Sequence, residues 1–209
     1  MQSLLSPAIL ARSRSRGLSS RLMSPASYRT AYAWGRNDYG QLFLGNTDFI
    51  GEPRSIILPG GAKAADKVVI DVACGARHTV MLCENNELYT AGSNDAHQRA
   101  TSDEDKARNK ATDTPHNPTK VRFPDIDVRR GKDALIAVAC GTAHTLALAR
   151  SGRVFSWGAN DNGQLGLGHF TAVDFPAAIT ALGTQVRCFD VCDPGALVRA
   201  RDAHYYFLS

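Results

Sequence analysis

The residues that could do chemistry here are six histidines, five cysteines and a few paired carboxylates. His78 and His144 stand out, since a histidine is the side chain best poised for general-base or ligand work near neutral pH. Each sits in a near-copy of one phrase, DVACGARHTVML over 71–82 and AVACGTAHTLAL over 137–148. Recurrence points away from catalysis: an imidazole required once per unit is a buried group bonded to backbone, because buried polar groups are paired. Cys74 with Gly75, and Cys140 with Gly141, read as small residues packed where strands crowd together. Cys188 and Cys192 lie four apart, but no second ligand pair at zinc spacing follows them, and no CxxC occurs. The odd cysteine count fits free thiols in a reducing compartment. Asp103 with Asp105, and Asp125 with Asp127, fall in polar stretches with nothing to shift their titration. There is no GxSxG and no GxxxxGK[ST], and the glycines of GQLGLG are in the wrong order for a dinucleotide fingerprint, with no βαβ pattern around them. The sequence therefore predicts no catalytic residue, no cofactor site and no metal site.

A second phrase explains the first. WGANDNGQLGLG over 157–168 is nearly repeated as WGRNDYGQLFLG over 34–45, and more weakly as LYTAGSNDAHQRA over 88–100. Gly35, Gly92 and Gly158 mark equivalent points, with Trp34 and Trp157 before two of them. Gly40, Gly45, Gly163, Gly166 and Gly168 punctuate the loop that follows, where positive φ or close backbone approach favours glycine and where Asn160 and Asp161 can bond to turn amides. Alternating HTVML, HTLAL, ELYTAG and RVFSWG have the period of strands, and ENNE and ARSGR join them into hairpins. A decayed third histidine phrase is read in RDAHYYFL, with His204 as its histidine and 203–208 as its strand.

Units of about 60 residues with strands apolar on both faces must stack on copies of themselves, and at that length radial stacking into a propeller is expected over a solenoid. The paired phrases, in this order and spacing, resemble the repeat of the regulator of chromosome condensation family, most of all its mitochondrial members. The expected fold is all-β, a partial propeller of about three blades over 30–209, with units at 31–87, 88–153 and 154–209. The resemblance implies a seven-bladed ring, so the chain would be a fragment, be completed by copies or a homologous partner, or be one subunit of a larger assembly. Bare sheet edges would then need protein partners to cover them. The second unit departs most: Ala91 replaces the tryptophan, the Gln-Leu-Gly phrase fails after Gln98, and a charged insertion runs over 101–118, read as a solvated loop.

Charge locates the chain. Of 24 basic residues, five arginines lie in residues 1–29, which hold no acid; the remaining 19 face 20 acids, so the body carries no net basic field. Residues 1–29, rich in Arg and Ser and free of acids, have the composition of a mitochondrial transit peptide or a disordered basic segment. The expectation is a matrix protein without stable membrane insertion, a non-enzymatic scaffold within an assembly such as the mitochondrial ribosome or another ribonucleoprotein. RNA contact would be indirect or confined to patches at Lys120–Arg122 and Arg129–Lys132. The alternative that the resemblance implies is a guanine-nucleotide exchange regulator of a GTPase. No residue identifies the partner-binding surface.

Overall fold

A computed structural model describes residues 8–10, 31–56, 58, 67–101, 117–123, 133–183, 186–192, 195–200 and 205–208. Among the described residues the elements are strands, apart from a 3-10 turn at Thr180–Leu182 and a 3-10 residue at Asp133. The first sheet holds β1 (Ala8–Leu10), β2 (Tyr32–Gly35) and β3 (Ile50–Ser55) in that order. The second runs β4 (Val69–Cys74), β5 (His78–Cys83), β6 (Leu88–Gly92) and β7 (Thr119–Lys120). The third repeats it as β8 (Leu135–Cys140), β9 (His144–Ala149), β10 (Val154–Gly158) and β11 (Val173–Ala178). The fourth comprises β12 (Val186–Cys192), β13 (Gly195–Ala200) and β14 (Tyr205–Leu208). Every pairing is antiparallel. Among the described residues this is an open, partial propeller, with two four-stranded sheets between two of three strands.

The expected hairpins form, with His78 opposite Gly92 and His144 opposite Gly158. Strands β5 and β9 are buried along their whole length. In β5, Val80 and Leu82 turn to the third sheet and Met81 and Cys83 to the first, which is why the strand reads apolar at successive positions. One seam joins Val80, Leu82 and Leu88 to Leu135, Phe155 and Trp157, and the next joins Leu146 and Leu148 to Val186.

Sequence units and sheets are out of phase. The unit 31–87 supplies β2 and β3 to one sheet and β4 and β5 to the next, so each unit straddles a seam. The last unit differs from expectation. Tyr205–Leu208 is the third strand of its sheet, in the place β6 and β10 take, and Gly195–Ala200 takes the histidine-strand position. His204 lies outside the described residues. The physical reason is a tighter hairpin: Cys192 pairs with Gly195 across two residues, where Cys74 and Thr79 or Cys140 and Thr145 span four, so the Gly-x-x-His turn has no room. Of the insertion 101–118, Thr101 and 117–118 are described; of the leader 1–29, only Ala8–Leu10.

The candidate site: a histidine seam between sheets

The recurring residues converge on the inner hairpins and the seam between sheets. Gly75 and Gly141 turn each hairpin, their amides donating to the carbonyls of His78 (2.8 Å) and His144 (2.9 Å). A Cβ on either glycine would overlap the imidazole of that histidine. On the opposite side Gly92 and Gly158, both at φ +108, leave room for the histidine backbone: a Cβ there would stand 2.7 and 2.8 Å from His78 Cα and His144 Cα. Each histidine thus has one glycine against its ring and another against its backbone.

The seam is closed by hydrogen bonds that cross it. His78 Nε2 lies 3.0 Å from Thr145 Oγ1 on the next sheet, and Thr145 Oγ1 donates to the Gln98 carbonyl at 3.3 Å. With that donation made, Nε2 carries the proton and donates to the hydroxyl. Trp157 Nε1 donates to the same carbonyl at 3.0 Å, filling both lone pairs of Gln98 O. Asp71 Oδ2 accepts the Val138 amide at 2.9 Å, and Cys140 Sγ donates to the Ala73 carbonyl at 3.6 Å. Burial, reinforced by the nearby His144 and Arg99, lowers the His78 pKa to about 3, so the ring is neutral at physiological pH. Burial likewise raises the thiols of Cys74 and Cys140, which remain protonated and unreactive. A neutral, buried imidazole and protonated thiols offer no base, nucleophile or ligand to solvent.

The loops after β2, β6 and β10 are pinned by one asparagine each. Asn37, Asn94 and Asn160 accept the amides of Leu42, Arg99 and Leu165 through Oδ1, at 2.9, 2.9 and 3.1 Å. Gln41, Gln98 and Gln164 accept the amides of Tyr39, Ala96 and Asn162. Gly40, Gly45, Gly163, Gly166 and Gly168 hold the left-handed positions of these loops, while His97, Ala100 and Phe43 take equivalent ones despite their side chains. Asp161 is exposed and does not join Asn160 in pinning the turn. The bonding of these asparagines and glutamines was legible in their repetition, but Asp71, Thr145 and Arg99 were not, because their roles lie across a seam or outside the repeated phrase. Arg99 replaces a buried leucine and is itself buried, its guanidinium donating to the carbonyls of Gly92 and Asn117 and to Thr119 Oγ1, which ties β7 back to the loop.

Among the described residues no three of His, Cys, Asp and Glu gather closely enough to hold a metal ion, and no helix is long and apolar enough to cross a membrane. Cys188, Cys192 and His204 are not described at side-chain level. The fold and the seam together define a repeat propeller whose distinctive residues serve the joints between sheets. Two family profiles, both of the regulator of chromosome condensation (RCC1) repeat, match it, one over residues 69–98 and 135–164, the other over 30–82 and 151–192. The chain belongs to the RCC1 repeat family. It is similar to an RCC1 domain-containing protein of Dictyostelium discoideum, 30% identical over 152 residues that make up 65% of this chain and 29% of that protein. Of solved structures, human WBSCR16 matches with a TM-score of 0.66 at 23% identity, over 85% of this chain and 42% of that one. Prp20p from Saccharomyces cerevisiae, reported with its binding properties to Gsp1p and histones, matches with a TM-score of 0.63 at 21% identity, over 78% and 38%. The chain thus spans less than a third of that curated relative and under half of those structures.

Proposed function

We infer that this chain is a protein-binding scaffold that works inside a larger assembly and catalyses nothing itself. One observation carries the reading. Tyr32 and Trp34 hold in the first sheet the positions of Phe155 and Trp157, which the neighbouring sheet buries completely; Tyr32 is 46% exposed and Trp34 half-buried. An aromatic face built for a neighbouring sheet, and met by none among the described residues, is a surface for a protein partner. The acid-free, arginine-rich leader supports a mitochondrial location.

A GTPase regulator is the second reading, supported by the shared fold of Prp20p and its binding to Gsp1p. The ribonucleoprotein role draws no such support, and the near-neutral body offers RNA no broad basic face. Two measurements test these readings. Native mass measurement of the tagged protein from mitochondrial extract is expected to find it in a species well above its own 22.5 kDa; a bare monomer would refute the scaffold. Labelled GDP release from mitochondrial GTPases, accelerated by substoichiometric protein, is what exchange requires, and unchanged release removes that reading.

A further inference from the structure

The first sheet shows what its free position is shaped to receive. In the second and third sheets the strand beside β6 or β10 is a histidine strand, paired at five positions from His78↔Gly92 to Leu82↔Leu88 and from His144↔Gly158 to Leu148↔Val154. Beside β2, that position is taken by Ala8–Leu10, paired at three: Ala8↔Trp34, Ile9↔Ala33 and Leu10↔Tyr32. In register, Ala8, Ile9 and Leu10 stand for Thr79, Val80 and Met81. The ladder stops one residue short of Gly35, and the residue before Ala8 in sequence is Pro7, which has no N–H to donate.

Gly35 is nonetheless made for more. Its φ of +104 matches the +108 of Gly92 and Gly158, the conformation that in the complete sheets lets the histidine backbone approach. We propose that Ala8–Leu10 is a placeholder strand. It caps the β2 edge of the uncleaved chain, and with the leader displaced or removed that edge passes to a partner polypeptide presenting a Gly-x-x-His-Thr strand, whose histidine seats against Gly35. The partner is not a second copy of this chain, because β5 and β9 are each already paired on both sides within their own sheets. Five ladder positions against three give the incoming strand its advantage, while the tether of the placeholder gives it a local concentration on the order of millimolar that a partner must overcome. The proposal rests on the scaffold reading above and names the edge at which that scaffold is completed.

The test uses the full chain and a labelled peptide of sequence VACGTAHTLALA, that of 138–149. The double variant A8P/I9P removes whichever adjacent N–H faces β2. It is expected to bind the peptide at least tenfold more tightly than the parent chain. A peptide with alanine for histidine is expected to bind the same variant at least tenfold more weakly, a control that leaves the protein untouched. Hydrogen exchange at those amides of Tyr32–Trp34 that face β1 rather than β3 should be slow in the parent, fast in A8P/I9P and slow again with peptide. Equal affinity of parent and variant, or indifference to the histidine, overturns the proposal. If the native species is large yet A8P/I9P changes nothing, the placeholder fails while the scaffold stands.

Discussion

A methyl group placed on Gly75 or Gly141 would enter the imidazole of the histidine three residues on, and both rings are buried. Gly75→Ala and Gly141→Ala are therefore expected to cost about 2–3 kcal/mol each in urea unfolding, as overpacked sites do. Gly168 is the contrast: at φ +80 with open space around it, alanine there meets only backbone strain, about 1–2 kcal/mol. His78 adds a pH dependence. Its folded pKa of about 3 lies below the 6.5 of an unfolded histidine, so the unfolded state binds the extra proton as pH falls. The sign is that stability is unaffected by this group above pH 6.5 and declines by about 1.4 kcal/mol per pH unit between 6.5 and 3. His78→Gln is expected to flatten the fall of the urea midpoint between pH 7 and 5; an unchanged slope would show that the ring is not held neutral. The repetition of Gly-x-x-His is what points to a structural role for the histidines in the sequence, whereas the bond of His78 to Thr145 did not show, since its partner is 67 residues away.

Between elements, two of the seams achieve the same filling with opposite residues. Between the second and third sheets, Trp157 packs in one buried cluster with Ala100; between the first and second, Ala91 stands at the tryptophan position and Phe43 at the position of Ala100, again in one cluster. The bulk that β6 lacks is supplied by the loop of the preceding sheet, at the expense of a phenylalanine at φ +60. Phe43→Ala should destabilise by about 3–4 kcal/mol, within the range for emptied aromatic sites. The double variant F43A/A91W should recover a substantial part of it, since the tryptophan would occupy the vacated space. If the double variant is no more stable than F43A, the exchange of bulk across the seam is wrong. Sequence inspection sees Ala91 and Phe43 as two separate departures from the repeat. That they compensate one another is a fact about adjacency, which the 47 residues between them conceal.

For the molecule as a whole, the half-step offset between unit and sheet ties each sheet to the next through the chain as well as through its seam. The second and third sheets should unfold together: in a Trp34→Phe variant, Trp157 fluorescence and far-ultraviolet circular dichroism are expected to give coincident urea transitions, and a separate early loss of one signal would refute a shared seam. The amino-acid sequence alone determined the repeat, the period of its strands, the hairpins between histidine and tryptophan strands and the glycine-rich loops, because each of these is fixed by residues near one another along the chain. Only the tertiary structure decided which sheet each strand joins, that Tyr205–Leu208 is a third strand, that Ala8–Leu10 lies beside β2, and which carbonyl Trp157 finds. Those are contacts between distant segments, set by which apolar faces and unpaired backbone groups meet on stacking, and no local pattern encodes them.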